Sequence, residues 1–253
     1  MLTPKFWYKE GSIISILLTP FSIVWRFGAY VRSKKTPSKI IDTPIICVGN
    51  VVAGGAGKTP SVLAIVEAFK HLRLSIHVVY KGYKIKNYTT LRVLPDIHSA
   101  SEVGDEPLFV SSKTTTWVTN NRLEAIKLAH NNNADLIILD DGLQDRSVFK
   151  NLSILVFNKE QAIGNKKIIP SGPLRETLSS AFKKSDCAFI IDDKEKNINI
   201  TFPPCFKKIY FETNISKKSY KYIYKRNIIA FTGLALPNKF KTTLLQAKAN
   251  IIS

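Results

Sequence analysis

Short apolar runs separated by amphipathic stretches organise most of the chain. "PIICV" (44–48), "SIHVVY" (75–80), "TTWVT" (115–119), "ADLIILD" (134–140), "LSILVF" (152–157) and "CAFII" (187–191) are near-continuous apolar segments. Such runs predict strands buried on both faces of a sheet. Between them, Thr59 to Arg73 puts Val62, Ile65, Val66, Phe69 and Leu72 on one helical face, and 121–131 repeats the pattern. Strands alternating with helices predict a parallel α/β sheet.

Both ends depart from this rhythm. The most apolar region is the N-terminus, where the run from Ile13 to Trp25 is interrupted by Pro20 and closed by Arg26. A membrane span needs about 20 apolar residues, so this one is too short. No small-residue cleavage site follows it, which argues against a signal peptide. Two readings stay open: a helix packed on the core, or a membrane-surface segment. In the second, Trp7, Tyr8, Phe21, Trp25 and Phe27 sit at the bilayer boundary, with Lys5, Lys9, Arg26, Arg32, Lys34 and Lys35 on anionic headgroups. After Ile191 the texture turns polar, Pro-containing and strand-like, and "NIIAFTG" (227–233) then reads as the first strand of another α/β unit. The expected organisation is an interfacial segment over 1–40, a phosphate-loop core over 41–192, an extended-strand connector over 193–226, and the start of an incomplete second α/β domain over 227–253.

Composition narrows the partners only slightly. Lys and Arg total 37 against 19 Asp and Glu in 253 residues, a net charge of +18 that suits an anionic partner or reflects a Lys-rich composition. Three scattered cysteines and four histidines give no metal-ligand spacing, consistent with a reducing compartment.

Four motifs carry chemistry. "VGNVVAGGAGKTPSV" (48–62) follows a predicted strand and opens a predicted helix, the context of a phosphate-binding loop. Val52 stands where the G-x-x-x-x-G-K-[ST] pattern has glycine. The nucleotide-binding stretch is Val52, Ala53, Gly54, Gly55, Ala56, Gly57, Lys58 and Thr59. Its backbone N–H groups turn toward phosphate, Lys58 charges the β and γ phosphates, and Thr59 offers a hydroxyl to Mg2+. "LIILDDGLQ" (136–144) ends an apolar strand in Asp140 and Asp141, the form that holds Mg2+. In "SEVGDEPLF" (101–109), Asp105 reads either as a helix cap or as a base for a substrate hydroxyl. "NKKIIPSGPLRET" (165–177) is a rigid turn that can present Arg175 to phosphate and Glu176 to metal or sugar.

In this order the stretches, with "KGY" (81–83) and "FTGLALPNKF" (231–240), resemble tetraacyldisaccharide 4'-kinase, the lipid A kinase family of Gram-negative bacteria. The resemblance implies transfer of the γ-phosphate of ATP, with Mg2+, to the 4'-hydroxyl of a tetraacyldisaccharide 1-phosphate. It places the chain peripherally at the cytoplasmic face of the inner membrane, against an anionic lipid surface and with no nucleic-acid partner. A non-glycine residue at Val52 is itself family-like. The resemblance makes Asp105 the activating carboxylate, Asp140 and Asp141 the acidic pair at the metal, Lys58 and Asp141 catalytic, and Arg122 and Glu176 active-site positions. Two departures stand out. Asp145 replaces the histidine usual in "DDGLQH", adding a negative charge beside the phosphate site, and the chain stops at Ser253 without the family's D-H-H motif. The early stop predicts a truncated second domain with impaired turnover, the alternative being an inactive nucleotide- and membrane-binding remnant.

Overall fold

The computed structural model describes residues 3–32, 39, 41–82, 90–159, 162–192, 198–212, 217–232 and 237–252. Tyr83, in the "KGY" stretch, and Gly233 and Leu234 of the C-terminal motif lie outside them.

Two N-terminal helices, α1 (Ile13–Leu17) and α2 (Thr19–Arg32), precede the sheet. The core then runs β1 (Ile45–Gly49), α3 (Lys58–Ala68), β2 (Ile76–Lys81), β3 (Thr90–Val93), α4 (Ala100–Val103), α5 (Asp105–Ser111), β4 (Thr115–Thr119), α6 (Arg122–Asn131) and β5 (Leu136–Asp140). It continues through β6 (Leu152–Asn158), α7 (Leu178–Lys183), β7 (Cys187–Ile191) and β8 (Lys207–Phe211). The main sheet has the order β3-β4-β2-β5-β1-β6-β7-β8 and is parallel throughout except where edge strand β3 runs against β4. All six predicted strands are present, with both-face burial in the five central ones that β4 joins at one side.

Alternation along β1 shows how the sheet is covered. Ile46 and Val48 enter one apolar cluster with Val62 and Ile65 of α3, while Cys47 enters another with Leu143, Leu155 and Leu174. Each fully buried aliphatic side chain stabilises the fold by about 1.5–3 kcal/mol. The face of Ile46 and Val48 thus anchors α3 behind the strand ends, where the phosphate loop emerges.

The later chain differs from its sequence pattern. Lys207–Phe211, within the stretch that reads as a connector, pairs in parallel with β7 and extends the main sheet. The helix α8 (Lys217–Ile223) forms where an extended strand is expected. Beyond it, β9 (Asn227–Ile228), α9 (Pro237–Gln246) and β10 (Asn250–Ile251) make a small parallel βαβ unit.

Candidate active site

The phosphate loop leaves β1 and is bonded to the 165–177 turn before it reaches α3. Val52 forms an antiparallel bridge with Leu174, Ala53 N–H donates to Pro173 O (2.8 Å), and Arg175 N–H donates to Val51 O (2.8 Å). Val52 is extended and 1% exposed, packed in the cluster that holds Leu143, Ile168 and Leu174. A glycine there would give up that contact and gain no needed freedom. The left-handed backbone is confined to Gly54 (φ 115°) and Gly57 (φ 87°). Gly57 precedes the first turn of α3, and a Cβ on it would lie 2.5 Å from Ile191 Cδ1. The loop therefore needs glycine where the backbone turns and an anchor where it pairs.

The end of β5 splits its two acids. Asp140 stays on the strand, 4% exposed, and its Oδ1 is buried with no hydrogen-bond partner among the described residues. Burial pushes its carboxyl up to about 7, against the pull of Lys58. Asp141 turns into left-handed backbone (φ 54°), and its carboxylate accepts from Arg175 Nη1 at 2.7 and 2.8 Å while Lys58 Nζ lies 3.8 Å away. Burial works to raise the Asp141 carboxyl, but Lys58 and Arg175 outweigh it and hold it below the usual carboxylate range. Two neighbouring acids thus take different states, one a poised buried oxygen and the other a committed counter-ion.

A further carboxylate, absent from the sequence reading, meets the start of α3. Thr59 Oγ1 donates to Glu106 Oε2 at 2.8 Å, and the buried Tyr80 hydroxyl sits near the same groups. The only sequence signal for Glu106 is its place beside Asp105 in "VGDEPL". Asp105 opens α5, is exposed, and makes no capping bond; Gly104 (φ 93°) holds the cap position. The capping reading of Asp105 is therefore corrected: the backbone turns at a glycine and needs no side-chain cap.

Of the remaining predicted positions, Arg122 is 7% exposed and reaches the backbone oxygens of Asp140 (3.3 Å) and Asp141 (2.9 Å). Glu176 is buried and engaged: Oε2 accepts from Ser180 Oγ (2.7 Å) and Lys184 Nζ (2.6 Å), and Oε1 accepts from Gln144 Nε2 (3.3 Å), which also bonds Asn50 O (3.0 Å). Glu176 so locks the turn to the strand end behind Asp140. Beside it lies an open cavity of about 530 Å³, lined by Ile23, Arg26 and Phe27 of α2, Arg146, Arg175 and Lys184. With both apolar and cationic side chains in its lining, it suits an amphiphilic anion.

A family-wide sequence profile described as tetraacyldisaccharide-1-P 4'-kinase matches residues 14–253. The chain belongs to this family. Among its relatives, the tetraacyldisaccharide 4'-kinase of Rhodospirillum rubrum is 31% identical over 257 residues, spanning 100% of this chain and 77% of that protein. The Rickettsia canadensis enzyme is 33% identical over 259 residues, spanning 100% and 76%. A crystal structure described as the "apo" form of LpxK from Aquifex aeolicus in complex with ATP superposes with a TM-score of 0.75 at 25% identity, over 95% of this chain and 80% of that one.

A kinase of this family uses ATP and Mg2+, and the residues present fit both. The orphaned Asp140 oxygen, the Thr59 hydroxyl and the Glu106 carboxylate are hard oxygen donors beside the loop. Among the described residues no three His, Cys, Asp or Glu are grouped to hold a metal. Mg2+ needs no such cage, taking one or two carboxylates with phosphate oxygens and waters.

The Asp140 state has a measurable consequence. Its folded pKa of about 7 exceeds the ordinary 3.8, so the folded chain binds the extra proton between those values. Stability then falls as pH rises through that window, and the loss persists above it. Without nucleotide or metal, Asp140→Asn is expected to melt above the wild type at pH about 8 and to match it near pH 4. Thermal denaturation across that range checks this; a lower melting temperature for the variant at pH 8 would contradict it.

Proposed function

We propose that this chain transfers the γ-phosphate of ATP to the 4'-hydroxyl of a tetraacyldisaccharide 1-phosphate at the cytoplasmic face of the bacterial inner membrane. The observation that carries the reading is the meeting of Lys58, Asp141 and Arg175, with Arg175 also lining the cavity under α2. The loop from Val52 to Thr59 receives the triphosphate, with Lys58 leaving Asp141 for the phosphate oxygens. Thr59, Asp140 and Glu106 would hold Mg2+, with Asp141 completing the acidic pair. When bound, the ion neutralises charge on the β- and γ-phosphate oxygens. Asp105 takes the proton of the 4'-hydroxyl as its oxygen bonds to the γ-phosphorus and the bond to the ADP oxygen breaks. Arg175, Arg26 and Lys184 face the anionic sugar, and Arg122 and Glu176 hold the walls in place.

The N-terminal helices support the lipid half of this reading because their polarity is inverted. Their polar groups, and that of Trp7 just before them, face the protein: Ser15 Oγ donates to Ser171 O (2.8 Å), Ser22 Oγ to Ile168 O (2.7 Å), Trp7 Nε1 to Pro170 O (2.9 Å) and Trp25 Nε1 to Arg175 O (3.1 Å). Their apolar groups face outward, with Ile13 74%, Leu17 69%, Phe21 62% and Val24 70% exposed. An exposed apolar patch of this extent marks a membrane or partner surface. No described helix is long and apolar enough to cross a membrane.

The decisive assay incubates the purified chain with ATP, Mg2+ and tetraacyldisaccharide 1-phosphate and looks for the 4'-phosphorylated product. ATP hydrolysis stimulated by DNA or RNA, with no lipid product, would overturn the reading. For the surface, the variant with Ile13, Leu17, Phe21 and Val24 changed to serine is expected to stay in the supernatant when sedimented with phosphatidylglycerol vesicles. The wild type should pellet; equal pelleting would remove these helices from the interface.

A further inference from the structure

Asp145 is not a loose charge beside the phosphate site. Its Oδ2 accepts from Arg122 Nη1 at 2.9 Å, and its Oδ1 accepts from Ser147 N–H (2.9 Å) and Ser147 Oγ (2.6 Å). Lys150 Nζ donates to its backbone oxygen. These contacts fix the carboxylate in one pose and keep it ionised, with a pKa lowered to about 2 despite the burial that works to raise it.

The pose matters because of what the other side of Arg122 does. Nη2 bonds the backbone oxygens of both Asp140 and Asp141, the point where the chain turns into left-handed geometry. Among the described residues, the buried Nε has no partner and the guanidinium is held by its two Nη groups. Removing the Nη1 contact leaves a buried cation without its direct counter-ion. The neighbouring carboxylate with a free buried oxygen is Asp140, on whose backbone the guanidinium already rests.

We propose that Asp145 is a positioning residue: it holds the Arg122 guanidinium on the carbonyls of Asp140 and Asp141 and so keeps the Asp140 carboxylate open for the magnesium ion. Without it, Arg122 turns its charge onto Asp140 and competes with the metal. The inference rests on the assignment of Asp140 to that ion.

The test measures Mn2+ binding by electron paramagnetic resonance in the presence of a non-hydrolysable ATP analogue, with no turnover needed. Asp145→Asn keeps shape and removes charge; its Mn2+ dissociation constant is expected to rise about 10- to 100-fold, the usual effect of losing a group that orients a metal ligand. Affinity for the analogue without metal should not change. Arg122→Met/Asp145→Asn, which has no stranded cation, is expected to bind Mn2+ more tightly than Asp145→Asn alone. In turnover, the kcat deficit of Asp145→Asn should shrink as Mg2+ is raised, which a general loss of structure would not produce. Wild-type Mn2+ affinity in Asp145→Asn, or a double variant as weak as the single, overturns the proposal. If Asp145→Asn does not fold, Arg122→Lys serves instead, since one ammonium cannot span Asp145 and both carbonyls; wild-type affinity there overturns it equally. A wild type without nucleotide-dependent Mn2+ binding would instead refute the assignment of Asp140.

Discussion

Lys58→Ala is expected to lower kcat by about 10³-fold, the scale of removing one preorganised group that meets charge developing in the transition state. In the resting site Lys58 Nζ is 3.8 Å from Asp141, a loose contact compared with the two Arg175 bonds at 2.7 and 2.8 Å. Its removal therefore leaves Asp141 paired and the strand end in place, and the melting temperature should hardly move. The charge that is lost is the one free to transfer from carboxylate to phosphate. Steady-state kinetics with both substrates varied would separate the outcomes. A rise in KM with kcat intact would mean that Lys58 binds ground and transition states equally, and the assigned role would be wrong.

Asp105→Asn carries the second large effect, a loss of about 10²- to 10⁴-fold in kcat, the range for removing a general base. Asp105 opens α5, and the next residue, Glu106, reaches Thr59 at 2.8 Å, so α5 points its first turn at the mouth of the phosphate loop. Because Asp105 makes no capping bond, the variant should keep its melting temperature and its affinity for ATP. The opposite pattern, about 1 kcal/mol of lost stability with unchanged kcat, belongs to a helix cap. Parallel measurement of kcat and thermal stability decides between them.

The sheet was legible because its central strands are buried on both faces and so appear as apolar runs whatever surrounds them. Edge strands lack that pressure. Thr90–Val93 has one buried residue and Lys207–Phe211 none, and neither stands out from a polar background. The phosphate loop was legible from glycine spacing, since the turns at Gly54 and Gly57 demand it. Val52 was not, because its reason is a bridge to Leu174, 122 positions away in the chain. Glu106 and the Arg122–Asp145 pair were hidden for the same cause: a carboxylate meeting a hydroxyl or guanidinium across the fold leaves no periodic trace. The apolar N-terminus was readable as apolar, whereas the direction its serines face depends on the turn it docks against.

That turn has a mechanical consequence. Residues 168–175 bond the phosphate loop through Leu174, Pro173 and Arg175, and the N-terminal segment from Trp7 to Trp25 through Ile168, Pro170, Ser171 and Arg175. Eight residues are thus a common bracket for two parts that share no strand. Tension on the helices is borne by the same peptide units that set the loop's curvature, and the bracket's stiffness limits how independently the two can move.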